Sequence, residues 1–509
     1  MSSVSVNGAF ALFFANLISK LFGGVYRLPL SNILGAEGIG LYQMAFPIYS
    51  FLLTFITGGV SITLTRKIAQ MRAKGLEDEI YKQFILGKNT SLMFGFIFFV
   101  FIIVMAYPLS VLQGNVNAVY GYFAIAMGFV FASVLGAYRG YYQGYGNMKP
   151  TAISQVLEQS AKLVFGLIFA GIFLRWGVLY AVFGALLGVS LSEIIAYIYF
   201  LIINKKRIKR QRIEIGKGEY KVFLKQVAPI SLSYMILPLA TLIDSLLVIN
   251  LLRSSGFVTS FATSLYGIET GMILPLINLP NVLISAIALA CIPDISYSLS
   301  EGQDVKSKIS QIYKTVFIFI LPCCVGLFLL AKPILAFVFP TLDFNMLNIA
   351  STLLKFSVFE MFFLCFVTVS NSILQALGKS KTPAISLAIG MGLKILLTII
   401  LVSNNTFNIY GLTIASTFGY FVASGIAILE IKKQTAFRLG IFEIVLPIIA
   451  CSVMTAGVLT WLGFFGEDLS FIKLFTCIML AVIVYFACIF AFRQFKLKDV
   501  KNILQIKKN

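Results

Sequence analysis

The sequence predicts an all-α polytopic membrane protein with fourteen transmembrane helices, arranged as two parallel, pseudo-symmetric six-helix lobes and two C-terminal helices. Three observations lead to this prediction. Fourteen apolar segments are each long enough to cross a bilayer, basic residues concentrate in alternate connectors, and one helical hairpin occurs twice. A soluble globule is excluded, because the chain is 59% hydrophobic with a mean hydropathy of +0.94, and its 12% charged residues are about half the usual share.

The apolar segments are each near or above the roughly 20 residues that span a hydrocarbon core. They cover residues 8–30, 39–64, 88–112, 117–141, 151–174, 177–203, 223–252, 264–292, 312–340, 347–376, 384–402, 409–431, 441–464 and 470–492. The first segment contains Lys20 and Arg27 and lacks a small-residue cleavage motif, so we expect a retained helix rather than a signal peptide.

The charge distribution predicts the topology. The net charge of +20 could suggest a nucleic-acid partner, but the basic residues follow the positive-inside pattern of a membrane protein and no nucleic acid is expected. The basic connectors follow the even-numbered segments, which places both termini in the cytoplasm. Trp176 and Trp461 then lie at the outer interface, where aromatic anchors are typical.

The internal repeat is clearest in Gln143–Ser154 (QGYGNMKPTAIS) and Gln375–Ser386 (QALGKSKTPAIS), which share six of twelve residues at an offset of 232. Each copy lies between two long apolar segments. Because six is even, both copies enter the membrane from the same side, as in parallel repeats. The predicted domains are an N-lobe at 1–222, a C-lobe at 223–435, and two further helices with a basic cytoplasmic tail at 436–509.

Prolines at matching places predict bent helices in the second and eighth segments. Pro47 lies in one, and Pro275 and Pro280 lie in the other. Interrupted helices at corresponding positions of two repeats are typical of the moving, site-lining elements of transporters.

Ionisable residues within the apolar segments are the candidate site residues, since each costs several kcal/mol unless it faces protein or water. Lys20 and Arg27 are seven residues apart and share one face of the first helix. Two cations on one face without a nearby acid favour an anionic substrate. The alternative is that Arg27 extends to the interface while Lys20 pairs with a helix dipole or a carboxylate.

Lys162 and Lys394 correspond under the repeat offset and lie at least eight residues from the ends of their segments. That depth exceeds the comfortable reach of a lysine side chain, so both should point into the protein. Glu158 precedes Lys162 by four residues and could form an intrahelical pair with it. We take both lysines as candidate substrate-binding residues and Glu158 as a charge partner or ion-coupling residue.

Three further charged residues have alternative interpretations. Asp244 corresponds to Lys20 in the repeat and could hold a coupling cation, pair with Lys20, or be structural. Glu269, about one turn from the end of its segment, is more typical of an interfacial carboxylate than of an ion-coupling one. Arg139, at the cytoplasmic edge, is expected to anchor the aromatic belt.

The sequence gives no indication of an enzyme or of a cofactor. Histidine is absent, the seven cysteines lie in apolar segments without metal-ligand spacing, and there is no nucleotide-binding motif or nucleophile–base pattern.

Two segments resemble a known family: YRLPLSNILGAEGIGLYQMAFPIYSF (Tyr26–Phe51) and YRGYYQGYGNMKPTAISQVLEQSAKL (Tyr138–Leu163). They are similar to the stage V sporulation protein B-like polysaccharide flippases, relatives of the MurJ lipid II flippases in the multidrug/oligosaccharidyl-lipid/polysaccharide exporter superfamily. The resemblance covers essentially the whole chain. It implies two six-helix lobes in a V around a cavity, and a lipid-linked saccharide whose pyrophosphate is held by N-lobe cations.

The resemblance also bears on individual residues. MurJ-type proteins have a Ser-Arg pair and a second Arg in the first helix, where this chain has Ser19-Lys20 and Arg27. Their arginines in the second and eighth helices are absent here, where Thr54 and small or apolar residues around Gly271–Pro275 stand. That departure argues against lipid II itself and leaves related undecaprenyl-linked glycans as an open alternative. The last two helices, 441–492, would hold the lipid tail.

The leading hypothesis is a flippase for an undecaprenyl-pyrophosphate-linked cell-wall saccharide, lipid II or a related precursor, with membrane lipid and a coupling ion as further partners. The first alternative is a cation-coupled multidrug exporter of the same superfamily, which should have an acidic, aromatic cavity. The second is a cell-wall scaffold, which would not need Lys20, Lys162 or Lys394 at bilayer depth.

Overall fold

The structure, a computed structural model, describes residues 6–204, 215–379, 381–438, 440–466 and 470–492. Every regular element within these ranges is helical. The helices up to residue 267 are α1 (Val6–Ala73), α2 (Glu77–Leu112), α3 (Val119–Gly144), α4 (Lys149–Phe173), α5 (Val178–Asn204), α6 (Lys217–Tyr234), α7 (Ile236–Ser254) and α8 (Thr259–Gly267). The later ones are α9 (Leu274–Ser300), α10 (Lys306–Leu329), α11 (Ala331–Val338), α12 (Phe344–Ala376), α13 (Lys381–Val402), α14 (Tyr410–Thr435), α15 (Ile441–Phe465) and α16 (Phe471–Ala491).

The predicted all-α membrane fold is confirmed. Thirteen helical stretches in the described part of the chain are long and apolar enough to cross a membrane. The first of them, α1, contains two predicted spans, because its 68 residues would extend about 100 Å against a hydrocarbon core of about 30 Å. Gly35 divides the helix with φ 68° and ψ −177°, a conformation that only glycine adopts readily. Counting α1 as two spans agrees with the fourteen predicted.

Two predicted spans consist of two helices each. The apolar segment 223–252 is interrupted at Met235, between α6 and α7. Pro238 lies three residues beyond Met235 and has no N–H to donate to the carbonyl of Tyr234, so the helical hydrogen bonding cannot continue through this point. Likewise, the segment 312–340 comprises α10 and the short α11.

The repeated hairpin has the same local geometry in both copies. Gly146 and Gly378, which correspond in the repeat, have φ of +75° and +77°. The Gly146 N–H donates to Gln143 O at 2.9 Å, and the Gly378 N–H donates to Gln375 O at 3.1 Å. The residue after each glycine donates a hydrogen bond that spans five residues of the chain. The Asn147 N–H donates to Tyr142 O, and the Lys379 N–H donates to Leu374 O. Both helices thus end in the same glycine-dependent cap before the next helix begins.

Contacts divide the chain into two compact units. The first comprises residues 1–276 and 395–412, and the second comprises 277–394 and 413–509. In the first unit α1, α3, α4 and α5 pack around buried aromatic residues such as Tyr122 and Phe129.

In the second unit α10 packs against α12 and α15, and the Tyr485 hydroxyl of α16 donates to Ile318 O at 2.8 Å. The predicted lobes at 1–222 and 223–435, and the further helices at 436–509, follow the sequence repeat rather than these packing units, and they stay predictions.

Candidate functional site

The candidate site in the first unit is built on both parts of α1. Tyr26 and Arg27 precede the break at Gly35, and Tyr42 and Phe46 follow it by about two and three turns. Because Gly35 redirects the chain, residues on either side of it can approach each other. The result is a contact between the Arg27 guanidinium and the Phe46 ring, with Arg27 Cζ 5.9 Å from the ring centroid.

Lys162 of α4 reaches the same ring. Its Nζ lies 4.6 Å from the centroid of Phe46 and 5.4 Å from that of Tyr26. Lys162 lies about halfway along α4 and is partly buried, so its ammonium is held inside the unit. Phe46 therefore brings together two cations from separate helices.

No carboxylate forms a direct ion pair with Arg27 or Lys162 among the residues that the structure describes. A cation–π contact contributes about 0.5–2 kcal/mol and does not remove the charge. Two adjacent, partly buried positive charges repel each other unless an anion lies between or beside them. This arrangement has the chemistry of an anion-binding site.

Arg139 and Glu158 form the neutralised pair of the same region. Arg139 Nη2 lies 2.6 Å from Glu158 Oε2, and its Nε donates to Ser154 Oγ at 3.1 Å. The other carboxylate oxygen of Glu158 accepts from the amide of Gln159 at 2.9 Å.

This pairing bears on two interpretations of the sequence. Glu158 forms its ion pair with Arg139 of α3 rather than with its helical neighbour Lys162. The consequence is that Lys162 keeps its charge available. Arg139, which the sequence predicted as an anchor at the cytoplasmic edge, contacts Ser154 and Glu158 of α4, and its anchoring role stays a prediction.

Glu193 of α5 is a site residue that the sequence reasoning missed. Its residue is 6% exposed, and the Tyr49 hydroxyl donates to its Oε1 at 3.2 Å. The signal was present in the sequence, since a carboxylate stands in the middle of the apolar segment 177–203.

The other two predicted substrate-binding residues are Lys20 and Lys394. Lys20 belongs to α1, but its side chain is outside those that the structure describes. Lys394 of α13 is in the second unit, 7% exposed. It packs against Gly419 of α14, where a methyl group on the glycine would lie 2.9 Å from Lys394 Cβ. Lys394 is thus turned inward, as its depth predicted.

The acidic candidates Asp244 and Glu269 are both buried, at 6% and 4% exposure. The helical stretch begins at Thr259 rather than near residue 264, so Glu269 is about 15 Å along it. Glu269 is part of a π-helical turn, Ile268–Ile273, a feature frequently found at functional sites.

Hydrogen bonds from α1 satisfy carbonyls that a proline leaves free beside that turn. Pro275 has no N–H, so neither the α-type bond to Gly271 O nor the π-type bond to Thr270 O can form. Ser31 Oγ donates to Gly271 O at 3.3 Å, and Gln43 Nε2 donates to Thr270 O at 2.6 Å.

The converse arrangement occurs in α1. Pro47 leaves Gln43 O without its helical donor, and the Tyr266 hydroxyl donates to this carbonyl at 3.4 Å. Thus α1 and the helical stretch from α8 through the π-helical turn to α9 satisfy each other's free carbonyls.

Comparisons with known proteins agree with this architecture. A family model described as "Polysaccharide biosynthesis protein" matches residues 5–299, and a MatE model matches residues 229–400. Two relatives come from Bacillus subtilis (strain 168). Lipid II flippase MurJ is 27% identical, with 91% of this chain and 90% of the relative aligned. Stage V sporulation protein B is 24% identical, with 98% and 97% aligned.

Solved structures show the same fold. The inward closed conformation of lipid II flippase MurJ superimposes with a TM-score of 0.75 over 96% of this chain and 99% of that chain, at 16% identity. An inward-facing MATE-family multidrug resistance transporter superimposes with a TM-score of 0.64 over 82% and 94%, at 17% identity. The fold is therefore that of MurJ and MATE transporters.

Proposed function

Because this chain belongs to the polysaccharide biosynthesis protein family of the multidrug/oligosaccharidyl-lipid/polysaccharide exporter superfamily, we propose that it is a flippase for an undecaprenyl-pyrophosphate-linked cell-wall saccharide. It acts in the bacterial cell membrane, with both termini in the cytoplasm, and carries the saccharide from the inner to the outer leaflet. The relatives named above as a lipid II flippase and a sporulation protein support a lipid-linked saccharide substrate and a transporter rather than an enzyme.

The observation that carries the proposal is the pair of cations on Phe46. A pyrophosphate has closely spaced negative oxygens, and moving it through a hydrocarbon core requires compensating positive charge. Arg27 supplies a planar fork suited to two phosphate oxygens, while Lys162 supplies a compact point charge. Lys20 and Lys394 are proposed as further substrate-binding residues.

The proposed mechanism is alternating access. The substrate's pyrophosphate binds to the cations while the site is open to the inner leaflet, and the two repeat-related lobes then move to open it to the outer leaflet. The prolines and the π-helical turn place breaks in the helices that carry the site, so these are the elements that we expect to bend. Asp244, Glu158 and Glu269 are candidates for ligands of a coupling ion.

The alternative, a cation-coupled multidrug exporter, is suggested by the MATE structures of similar fold. It requires an acidic site for an organic cation. The charges that meet at Phe46 are positive, which favours an anionic substrate instead.

Binding of undecaprenyl pyrophosphate to the purified protein in detergent tests the proposal. We expect Arg27→Ala and Lys162→Ala each to weaken binding by about tenfold or more, since a hydrogen bond to a charged group contributes about 1.5–3 kcal/mol. Lys473→Ala is the matched control, because Lys473 also lies over a phenylalanine ring, Phe465, at 4.9 Å, but in the second unit.

Equal affinity of the wild type and both alanine variants for undecaprenyl pyrophosphate would show that the two cations are not part of the substrate site. Binding of an organic cation in place of undecaprenyl pyrophosphate would favour the exporter. A protein that binds neither ligand would favour the scaffold.

A further inference from the structure

Glu193 is a buried acid for which the proposed transport mechanism has no role. It lies in the middle of α5, which is otherwise apolar over most of its 27 residues. The residue is only 6% exposed. An ionised carboxylate in such a place costs several kcal/mol unless a cation or several hydrogen-bond donors compensate for the lost water.

The groups around Glu193 come from three helices. Tyr49 faces it from α1, Arg139 from α3, and Glu158 and Lys162 from α4. The Tyr49 hydroxyl is a neutral donor to Glu193 Oε1 at 3.2 Å. Arg139 is held by Glu158 at 2.6 Å, and Glu193 forms no ion pair with any residue that the structure describes.

This geometry favours the protonated carboxylic acid form of Glu193, which can release its proton and take it up again. One hydrogen bond from a neutral hydroxyl does not replace the hydration of a full negative charge. The second acid nearby, Glu158, already uses the arginine, and two carboxylates that share one region do not both ionise readily. When Glu193 takes up a proton from water, its uncompensated negative charge disappears, and no other reactant is needed.

We propose that Glu193 is a proton-binding site whose protonation strengthens anion binding at Arg27 and Lys162. The ionised form places a negative charge near Lys162 and repels an arriving phosphate, whereas the protonated form does not. Binding of the two ligands is reciprocal, so a bound anion favours the proton as much as the proton favours the anion. The inference rests on the proposed function only for the identity of the anion.

The expected result is a pH-dependent affinity. Wild-type protein should bind undecaprenyl pyrophosphate about tenfold more tightly below the titration midpoint of Glu193 than above it, a coupling within the usual range. Glu193→Gln, a mimic of the protonated acid, should keep the tighter affinity at every pH. Tyr49→Phe should move the midpoint to higher pH, because the lost hydrogen bond stabilises the charged form more than the neutral one.

Infrared difference spectroscopy of the purified protein between acidic and alkaline buffer measures the proton itself, without any substrate. Among the carbonyl stretches of protonated carboxylic acids, one component should appear in wild type, be missing in Glu193→Gln, and titrate at higher pH in Tyr49→Phe. Glu301→Gln, at an exposed position, is the control and should leave this band unchanged.

The two measurements separate the inference from the proposed function. Identical spectra for wild type and Glu193→Gln, or an unchanged pH dependence of binding in that variant, would overturn the proton site. A titrating Glu193 band in a protein that binds no undecaprenyl pyrophosphate would uphold the proton site and contradict the proposed substrate. If Glu193→Gln does not fold, the midpoint shift in Tyr49→Phe decides, and its absence would overturn the inference.

Discussion

Phe46 shows how one residue can organise a charged site without bearing a charge. Its ring contacts the guanidinium of Arg27 and the ammonium of Lys162, which belong to helices far apart in the chain. An aliphatic side chain of similar volume would pack there but would not attract either cation. The cations are therefore held close together while their charges stay available to a ligand.

At this scale the sequence predicted which residues matter better than it predicted their partners. Arg27 and Lys162 were identified from their depth in apolar segments, because burial of a charge follows from the segment's length. The pairing of Arg139 with Glu158 was missed, because it joins α3 to α4 and depends on how those helices pack. The intrahelical spacing of Glu158 and Lys162 pointed to the wrong pair.

We predict that Arg139 and Glu158 contribute to stability through their mutual interaction rather than individually. Arg139→Met or Glu158→Leu alone leaves a charge uncompensated in a largely buried place and should destabilise the protein by about 3 kcal/mol. The double variant should recover most of the loss. Thermal unfolding in detergent gives the double-mutant cycle.

The surface pair of Lys308 and Asp294, at 2.8 Å, supplies the control. Asp294→Asn should change stability by less than about 1 kcal/mol, because these side chains are exposed to water. Additive losses in the Arg139 and Glu158 variants would contradict coupling between the two residues.

At the scale of elements, the prolines of α1 and α9 make one arrangement. Pro47 frees Gln43 O, which receives the Tyr266 hydroxyl, and Pro275 frees Gly271 O, which receives the Ser31 hydroxyl. Tyr266 of α8 and Ser31 of α1 supply the donors that these carbonyls lack. A hydrogen bond from a side-chain hydroxyl to a backbone carbonyl can break and re-form as the helices move. The backbone hydrogen bonds of a continuous helix do not offer this possibility.

We predict that Tyr266→Phe destabilises the protein by about 1–2 kcal/mol, because Gln43 O is left buried without a donor. In a Pro47→Ala background the same substitution should cost much less, since an alanine at this position restores the backbone N–H that the carbonyl needs. The cycle is measured by chemical or thermal unfolding. The same loss from Tyr266→Phe in both backgrounds would show that the hydroxyl does not serve the freed carbonyl.

The repeated hairpin was predictable from sequence, since Gly146 and Gly378 stand at corresponding places and a left-handed cap requires glycine there. The break in α1 at Gly35 was less visible, because apolar residues continue on both sides of it and glycine is common in membrane helices. The interruption between α6 and α7 was hidden for the same reason. Apolar composition determines where the chain crosses the membrane, but the position of a bend depends on a single residue.

At the scale of the whole molecule, the alternating basic connectors predict an orientation that the helices alone do not. Single cysteines at Asn117 and Asn404, in a background without reactive native thiols, should react with an impermeant maleimide added outside intact cells. A cysteine at Gly216 should react only after the membrane is opened. Reaction at Gly216 in intact cells would overturn the predicted orientation.

The fold of the whole chain followed from segment lengths and the repeat, and the MurJ-type structure agrees with it over 96% of the chain. The substrate could not be predicted from these features, because the same fold serves lipid flippases and multidrug exporters. Substrate choice depends on a few charged residues, and the role of these residues is best tested by measuring transport.

The most direct test of the central claim is transbilayer movement in proteoliposomes. An undecaprenyl-pyrophosphate saccharide with a dithionite-reducible fluorophore is incorporated in both leaflets, and dithionite added outside reports the pool that reaches the outer leaflet. The wild type should make nearly the entire pool reducible, while vesicles with Arg27→Ala/Lys162→Ala protein at equal density should resemble protein-free vesicles. Movement by the double variant at the wild-type rate, or none by the wild type, would contradict the account.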